Sequence, residues 1–324
     1  MTYQLTIARE CNPRLDYAPA IERIHSLLSV RAEAQGVPSF HLSVILSGDI
    51  TASIARLGES DFQPERLGGR VAGKTIALRR DYSDVAIVLD SSAEMDVLDI
   101  VHLTAHEYGH VLLGRLRAAA GTRPAIPIRP QSPQEIAAIL AYEAADEYRC
   151  DLLSNEILGT VTIGKGSEAR PVNLGDAFTD GYFEALVATI DNRVHPGWPD
   201  LVDAYRCWEI DLEAMFTRVV SETDQLMKLI AHAEGVARGS GQDPVLDRLR
   251  TRPAVQLYLA EAWNPVRHIL ENTDIIPSST DFREVDYKLQ REGRGVISMW
   301  RRLGIHGRLT ENDEVQLDIR APVR

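Results

Sequence analysis

The chain has 324 residues, 44% hydrophobic and 25% charged, the make-up of an ordinary globular protein long enough for one large domain or two smaller ones. Its formal net charge of −12 argues against nucleic-acid binding over the whole surface. Cys11, Cys150 and Cys207 form no C-x-x-C pair, the first residues lack a basic and apolar leader pattern, and no apolar run nears bilayer length, so a reduced, cytoplasmic setting without membrane insertion is expected.

In chain order, residues 1 to 17 read as short and irregular, with Pro13 as a breaker. Ile21, Ile24, Leu27, Leu28 and Val30 give helical periodicity from Ala18 to Gln35, ended by Gly36-Val37-Pro38. Phe40 to Leu46 reads as a strand, Ser53 to Leu57 as a short helix, and Gly68-Gly69 as a turn. Val71 to Leu78 and Val85 to Asp90 read as two further strands joined by the charged turn Arg79 to Asp84. A helix of about six turns follows, roughly 94 to 117. After a Pro-rich loop, Ala118 to Pro130, comes a helix over 133 to 157 with Ser132 as its cap. Gly164 to Pro171 reads as the main boundary. Beyond it, helices are expected near 175–192, 200–234, 244–250, 253–271 and 283–303, with a mobile connection at Gly235 to Asp243 and a weak strand at Val315 to Ile319. The pattern is α+β: a small sheet packed on helices in domain 1–163, then a mainly helical subdomain over 164–324.

Thr104-Ala105-His106-Glu107-Tyr108-Gly109-His110 lies inside the helix over roughly 94 to 117 and reads H-E-x-x-H. Two imidazoles four residues apart on a helix lie on one face, where a single Zn²⁺ can take both. Glu107, beside the first of them, is the general base in proteins with this motif, taking a proton from the attacking water. His102 lies one turn earlier. Three His at i, i+4 and i+8 rarely fit one tetrahedral centre, so a core or supporting role is expected for it.

The next helix carries Glu143, Asp146, Glu147 and Asp151. Glu143, Glu147 and Asp151 share one slowly drifting face. Carboxylates stacked on a largely buried helix repel one another unless a cation or donors sit there; a solvated acidic face is the other reading. A catalytic zinc takes three protein ligands and keeps one position open.

Glu147-Tyr148-Arg149-Cys150-Asp151 resembles the E-x-x-x-D element of gluzincin metallopeptidases. The resemblance implies that Glu147 is the third zinc ligand and that Asp151 orients His106, with Glu143 the alternative third ligand. Cys150 departs from the small Ala common in relatives. A strand, then H-E-x-x-H, then an E-x-x-x-D helix is similar to the ImmA/IrrE family over roughly residues 70 to 160. That family implies an intracellular zinc-dependent endopeptidase, a hydrolase of the zincin-like fold, acting on a regulatory protein or peptide. The membrane helices of the related HtpX-like peptidases are absent, and so is the helix-turn-helix companion of some ImmA/IrrE members.

Such a peptidase needs a donor for the oxyanion of its tetrahedral intermediate; His195, Tyr205 and Arg206 are candidates, with Tyr142 and Tyr148 behind them. The strand Val85 to Leu89 is a candidate to bind the substrate backbone as an added strand. The basic segment Arg291 to Arg294 with Trp300-Arg301-Arg302 reads as a solvated helix face, and nucleic acid is not an expected partner. The alternative function is a catalytically silent peptidase-like scaffold that binds a partner through its helical C-terminal half. A third reading is a toxin-like protease with one protein target. No pattern speaks to oligomeric state.

Overall fold

A computed structural model describes residues 2–11, 16–66, 69–91, 95–122, 132–163, 170–173, 181–309 and 315–323. Pro13, the turn residue Gly68, most of the loop to Pro130, the start of the loop at Gly164 and the first part of the helix expected from 175 lie outside them. The architecture is α+β, with many helices and a small mixed sheet.

The chain divides into two compact units that are not sequential. The first is Met1–Arg123, Arg149–Thr179 and Asp274–Glu284; the second is Pro124–Tyr148, Asp180–Thr273 and Val285–Arg324. The division expected near 164 therefore differs from the contact pattern, because one long helix contributes its first half to the second unit and its last turns to the first.

In the first unit, strands β1 (Tyr3–Arg9), β2 (Phe40–Ser47), β5 (Gly73–Ala77) and β6 (Asp84–Asp90) form a sheet in the order β1-β2-β6-β5. β1, β2 and β6 are parallel; β5 is antiparallel to β6. β1 occupies a stretch expected to be irregular. Its alternation of Tyr3, Leu5 and Ile7 with Gln4, Thr6 and Ala8 is the period-two pattern of a strand covered on one face. Val85 to Leu89 are all fully buried, as a central strand with both faces covered requires. The expectation that Val85 to Leu89 takes an added substrate strand is overturned: β6 is paired on both sides, with β2 and β5, and has no free edge. Among the described residues the sheet's edges are β1 and β5. Two short pairs, β3 (Glu65–Arg66) with β4 (Gly69–Arg70) and β7 (Thr162–Ile163) with β8 (Arg170–Pro171), complete the strands of this unit.

Helices α1 (Ala18–Ala34) and α2 (Ile50–Arg56) flank the sheet, and α3 (Val97–Ala120) carries the H-E-x-x-H stretch. α3 starts three residues later than expected because Asp96 and Asp99 form a reciprocal cap: Asp96 Oδ1 accepts from the Leu98 and Asp99 amides, and Asp99 Oδ2 accepts from the Asp96 amide at 2.8 Å. Its exit is Gly121, in the left-handed region at φ 68. α3 packs on α1, where Tyr108 Oη lies 3.0 Å from His25 Nδ1, and on β5 and β6. It also packs on the β5–β6 turn. Tyr82, itself at φ 57, lays its ring so close to Gly114 that a Cβ there would meet ring carbon at 2.3 Å. α4 (Pro133–Leu158) starts as expected, with Ser132 and Glu135 capping each other.

The second unit is mainly helical: α5 (Gly181–Thr189), α6 (Gly197–Arg206), α7 (Leu212–Gly239), α8 (Val245–Arg248), α9 (Ala260–Glu271), the greater part of α10 (Phe282–Arg291) and α11 (Gly293–Arg302). The single helix expected over 200–234 is two. Trp208 adopts φ 65 and Asp211 caps a new start by accepting from the Ala214 amide. α7 then continues through the expected connection as far as Gly239. β10 (Val315–Ile319) pairs with β9 (Ile305–Leu309), a strand the sequence reading did not include. Trp300 is core, its indole N–H donating to Thr223 Oγ1 at 3.1 Å, and Arg294 pairs with Glu292. The basic stretch is thus partly neutralised within its own unit. No described helix is long and apolar enough to cross a membrane.

Candidate metal centre

His102, His106 and His110 rise along one face of α3, with ring centroids 5.7 Å apart for the first pair and 5.0 Å for the second. α4 brings Asp151 against this face. His106 Nδ1 is 2.8 Å from Asp151 Oδ1, and both residues are buried. A buried carboxylate at Nδ1 holds the ring proton there, which leaves the Nε2 lone pair to face the other way. Nε2 of His106 lies 3.2 Å from Nε2 of His110. Two nitrogens bound tetrahedrally to one ion at about 2.0–2.1 Å sit about 3.3 Å apart. The pair therefore has the spacing of two ligands of one ion, and the donor set fits a divalent metal such as zinc.

His102 stands behind them. Its Nδ1 is 2.8 Å from Ser154 Oγ, and its ring groups with His106 and Asp151. Cys150 is buried on α4, and its Sγ groups with ring nitrogens of His106 and His110 within 4.8 Å. A Cβ on Gly109 would come to 2.7 Å from that Sγ, so the thiol presses directly on the backbone of α3.

Glu107 points to the sheet. Thr75, on β5, donates its hydroxyl to Glu107 Oε2 at 2.7 Å, with the Glu107 main-chain oxygen at 2.9 Å as the competing acceptor. Gly73, two residues earlier on the same face of β5, leaves room for the carboxylate: a Cβ there would lie 3.1 Å from Glu107 Cγ and Oε1.

In the second unit, the first half of α4 runs beside α7 as a two-step ladder. Glu143 Oε2 is 2.9 Å from Lys228 Nζ, and Glu147 Oε2 is 3.7 Å from His232 Nε2. Asp224 also pairs with Lys228, at 2.8 Å. Burial alone would lower the Lys228 pKa, but the carboxylates of Glu143, Asp224 and Glu147 outweigh it and hold it above the usual lysine value. The cation that the stacked carboxylates require is thus, for Glu143, a lysine. Tyr182 stacks on His232 with centroids 5.0 Å apart.

Of the residues singled out in the sequence, His106, His110 and Asp151 come together in the first unit, while the Glu107 side chain is held against β5. Glu147 stands one turn before Asp151 on unbroken α4, so the two carboxylates leave the same side of that helix. His195 lies in the turn before α6 and Tyr205 near the end of α6. Arg206 pairs with Asp203 at 2.9 Å, and the Tyr148 hydroxyl accepts from Arg238 at 3.3 Å. Thr75, Lys228 and His232 were not singled out. For the last two a signal existed: Lys228 and His232 repeat the four-residue spacing of Glu143 and Glu147 with opposite polarity. Comparison of the chain with protein-family models, curated proteins and solved structures gives no match.

Proposed function

We propose that the protein is a zinc-dependent endopeptidase of the gluzincin type, similar to the ImmA/IrrE family, acting on a regulatory protein or peptide. His106, His110 and Glu147 hold the metal, and Asp151 fixes His106. The observation that carries this reading is the 3.2 Å approach of the two Nε2 atoms with the Asp151 carboxylate behind one of them. The packing of α3 on a small mixed sheet, with edge strand β5 beside Glu107, supports a zincin-like arrangement.

When bound, zinc polarises the scissile carbonyl and makes a water easier to deprotonate. Glu107 takes the proton of the attacking water and passes it to the leaving amine. Asp151 keeps the His106 proton on Nδ1 throughout. β5, an edge of the sheet among the described residues, rather than β6, is the strand an extended peptide would join.

Glu107→Gln keeps the shape of the side chain but removes its charge and with it the base. Zinc-loaded wild type and Glu107→Gln, each incubated with a peptide library and read by mass spectrometry, test the assignment. Cleavage by wild type and a loss of about 10²–10⁴-fold in the variant, with metal retained, is the expected result. Equal cleavage by both removes Glu107 from the reaction.

The Cys150 thiol favours a second reading. His106, His110 and Cys150 offer donor atoms within 4.8 Å of one another, and a metal they held with one further protein ligand would have no open position and be structural. The chain is then a silent peptidase-like scaffold that binds its partner through the helical C-terminal half. In that case Cys150→Ala weakens metal binding, whereas an open peptidase centre keeps its metal without the thiol.

A further inference from the structure

The hold of β5 on Glu107 goes beyond what the H-E-x-x-H motif contains. A glutamate base needs one oxygen free to take a proton and a carboxylate plane that does not swing. α3 supplies only the Cα position. The side chain has three rotatable bonds, and nothing in the motif fixes them. The two contacts that do fix them come from one strand. Thr75 Oγ1 donates to Oε2 at 2.7 Å, and Gly73 keeps the space beside Cγ and Oε1 clear. Both residues project from the face of β5 that meets α3, since they are two apart in a strand paired with β6 in register Gly73 to Leu89 and Thr75 to Ile87. The Glu107 residue is 7% exposed, so water competes little for that hydrogen bond.

We propose that Thr75 is the positioning residue for the base of this centre: its hydroxyl anchors Glu107 Oε2 and thereby assigns Oε1 to the proton. This rests on the peptidase reading above. The hydroxyl has a single proton and two acceptors, Oε2 and the Glu107 main-chain oxygen at 2.9 Å, so the charged carboxylate at 2.7 Å is the preferred one. Because β5 is an edge of the sheet among the described residues, a peptide added to it would lie against the same strand that holds the base. Seating the substrate and orienting the base then share one element.

The test uses the zinc-loaded chain with Thr75→Val and Thr75→Ser. Val keeps the shape and the strand preference and removes the hydroxyl; Ser keeps the hydroxyl. Thr75→Ala stands in for Val if circular dichroism shows that Val disturbs the fold. On a peptide found with the wild type, Thr75→Val is expected to lose about 10- to 100-fold in kcat, the worth of one hydrogen bond to a charged group, with KM within about twofold and zinc content unchanged. Thr75→Ser is expected to recover most of the loss. The second readout needs no activity. The Glu107 carboxylate band, isolated as the infrared difference between wild type and Glu107→Gln, should move in Thr75→Val and stay in Thr75→Ser. A wild-type kcat and an unmoved band in Thr75→Val overturn the proposal. If Glu107→Gln cleaves as well as wild type, or nothing cleaves, the peptidase reading fails instead, and the band alone decides whether Thr75 holds the carboxylate.

Discussion

At the scale of single residues, the centre depends on which atom of His106 carries a proton. Asp151 settles that by lying 2.8 Å from Nδ1 in a buried setting. An asparagine in its place is nearly isosteric but presents either an oxygen or an amide group, and it lacks the charge that favours the Nδ1 proton. Asp151→Asn should therefore lower metal affinity by about 10–100-fold. Competition against a zinc chelator of known strength checks this, and an unchanged affinity would show that His106 is oriented by something else. The pair His106 and His110 was legible because a helix fixes the geometry of residues four apart without help from the rest of the fold. Asp151 was reached only through the E-x-x-x-D resemblance. Thr75 was not reachable: its contact with Glu107 depends on the register of β5 against β6 and on the angle at which α3 crosses them, neither of which has a local signature.

At the scale of elements, α3 is fixed at its start by a reciprocal aspartate cap and along its length by close approach to the sheet turn. The Tyr82 ring fills the space beside Gly114, where a Cβ would fall at 2.3 to 2.7 Å from three ring carbons. Gly114→Ala should destabilise the protein by about 1–3 kcal/mol, through overpacking rather than through helix propensity, which favours Ala. Tyr82→Ala in the same chain should return much of that loss, since the clash needs both partners. Urea unfolding of the two single variants and the double variant measures the coupling; additive effects would mean the ring moves aside freely. The elements that were legible are those with strong periodicity or clear caps: α1, β2, β6, α3 and α4. β1 was missed although its alternation is present, because a short strand near Pro13 resembles a tail. The break between α6 and α7 was missed because the segment around Cys207 to Asp211 contains neither Pro nor Gly; the turn is made by Trp208 in the left-handed region, which sequence alone assigns to Gly or Asn.

At the scale of the whole molecule, one helix contributes residues to both compact units. α4 runs from one compact unit into the other, and its acidic residues are divided accordingly. Glu143 and Glu147 meet Lys228 and His232 in the second unit, while Asp151 meets His106 in the first. Stacked carboxylates on a buried helix suggested a metal from sequence. Lys228 meets part of that demand, so the case for a metal rests on the two imidazoles and on Glu147 rather than on acidic charge as such. The measurement that tests this most directly is the zinc content of the purified chain, after loading and exhaustive dialysis, beside His106→Ala/His110→Ala, Glu147→Ala, Glu143→Ala and Cys150→Ala. The account predicts about one zinc per chain in the wild type, retained in Glu143→Ala and Cys150→Ala and lost in the histidine pair and in Glu147→Ala. Absence of zinc from the loaded wild type, or its retention when both histidines are removed, would contradict it.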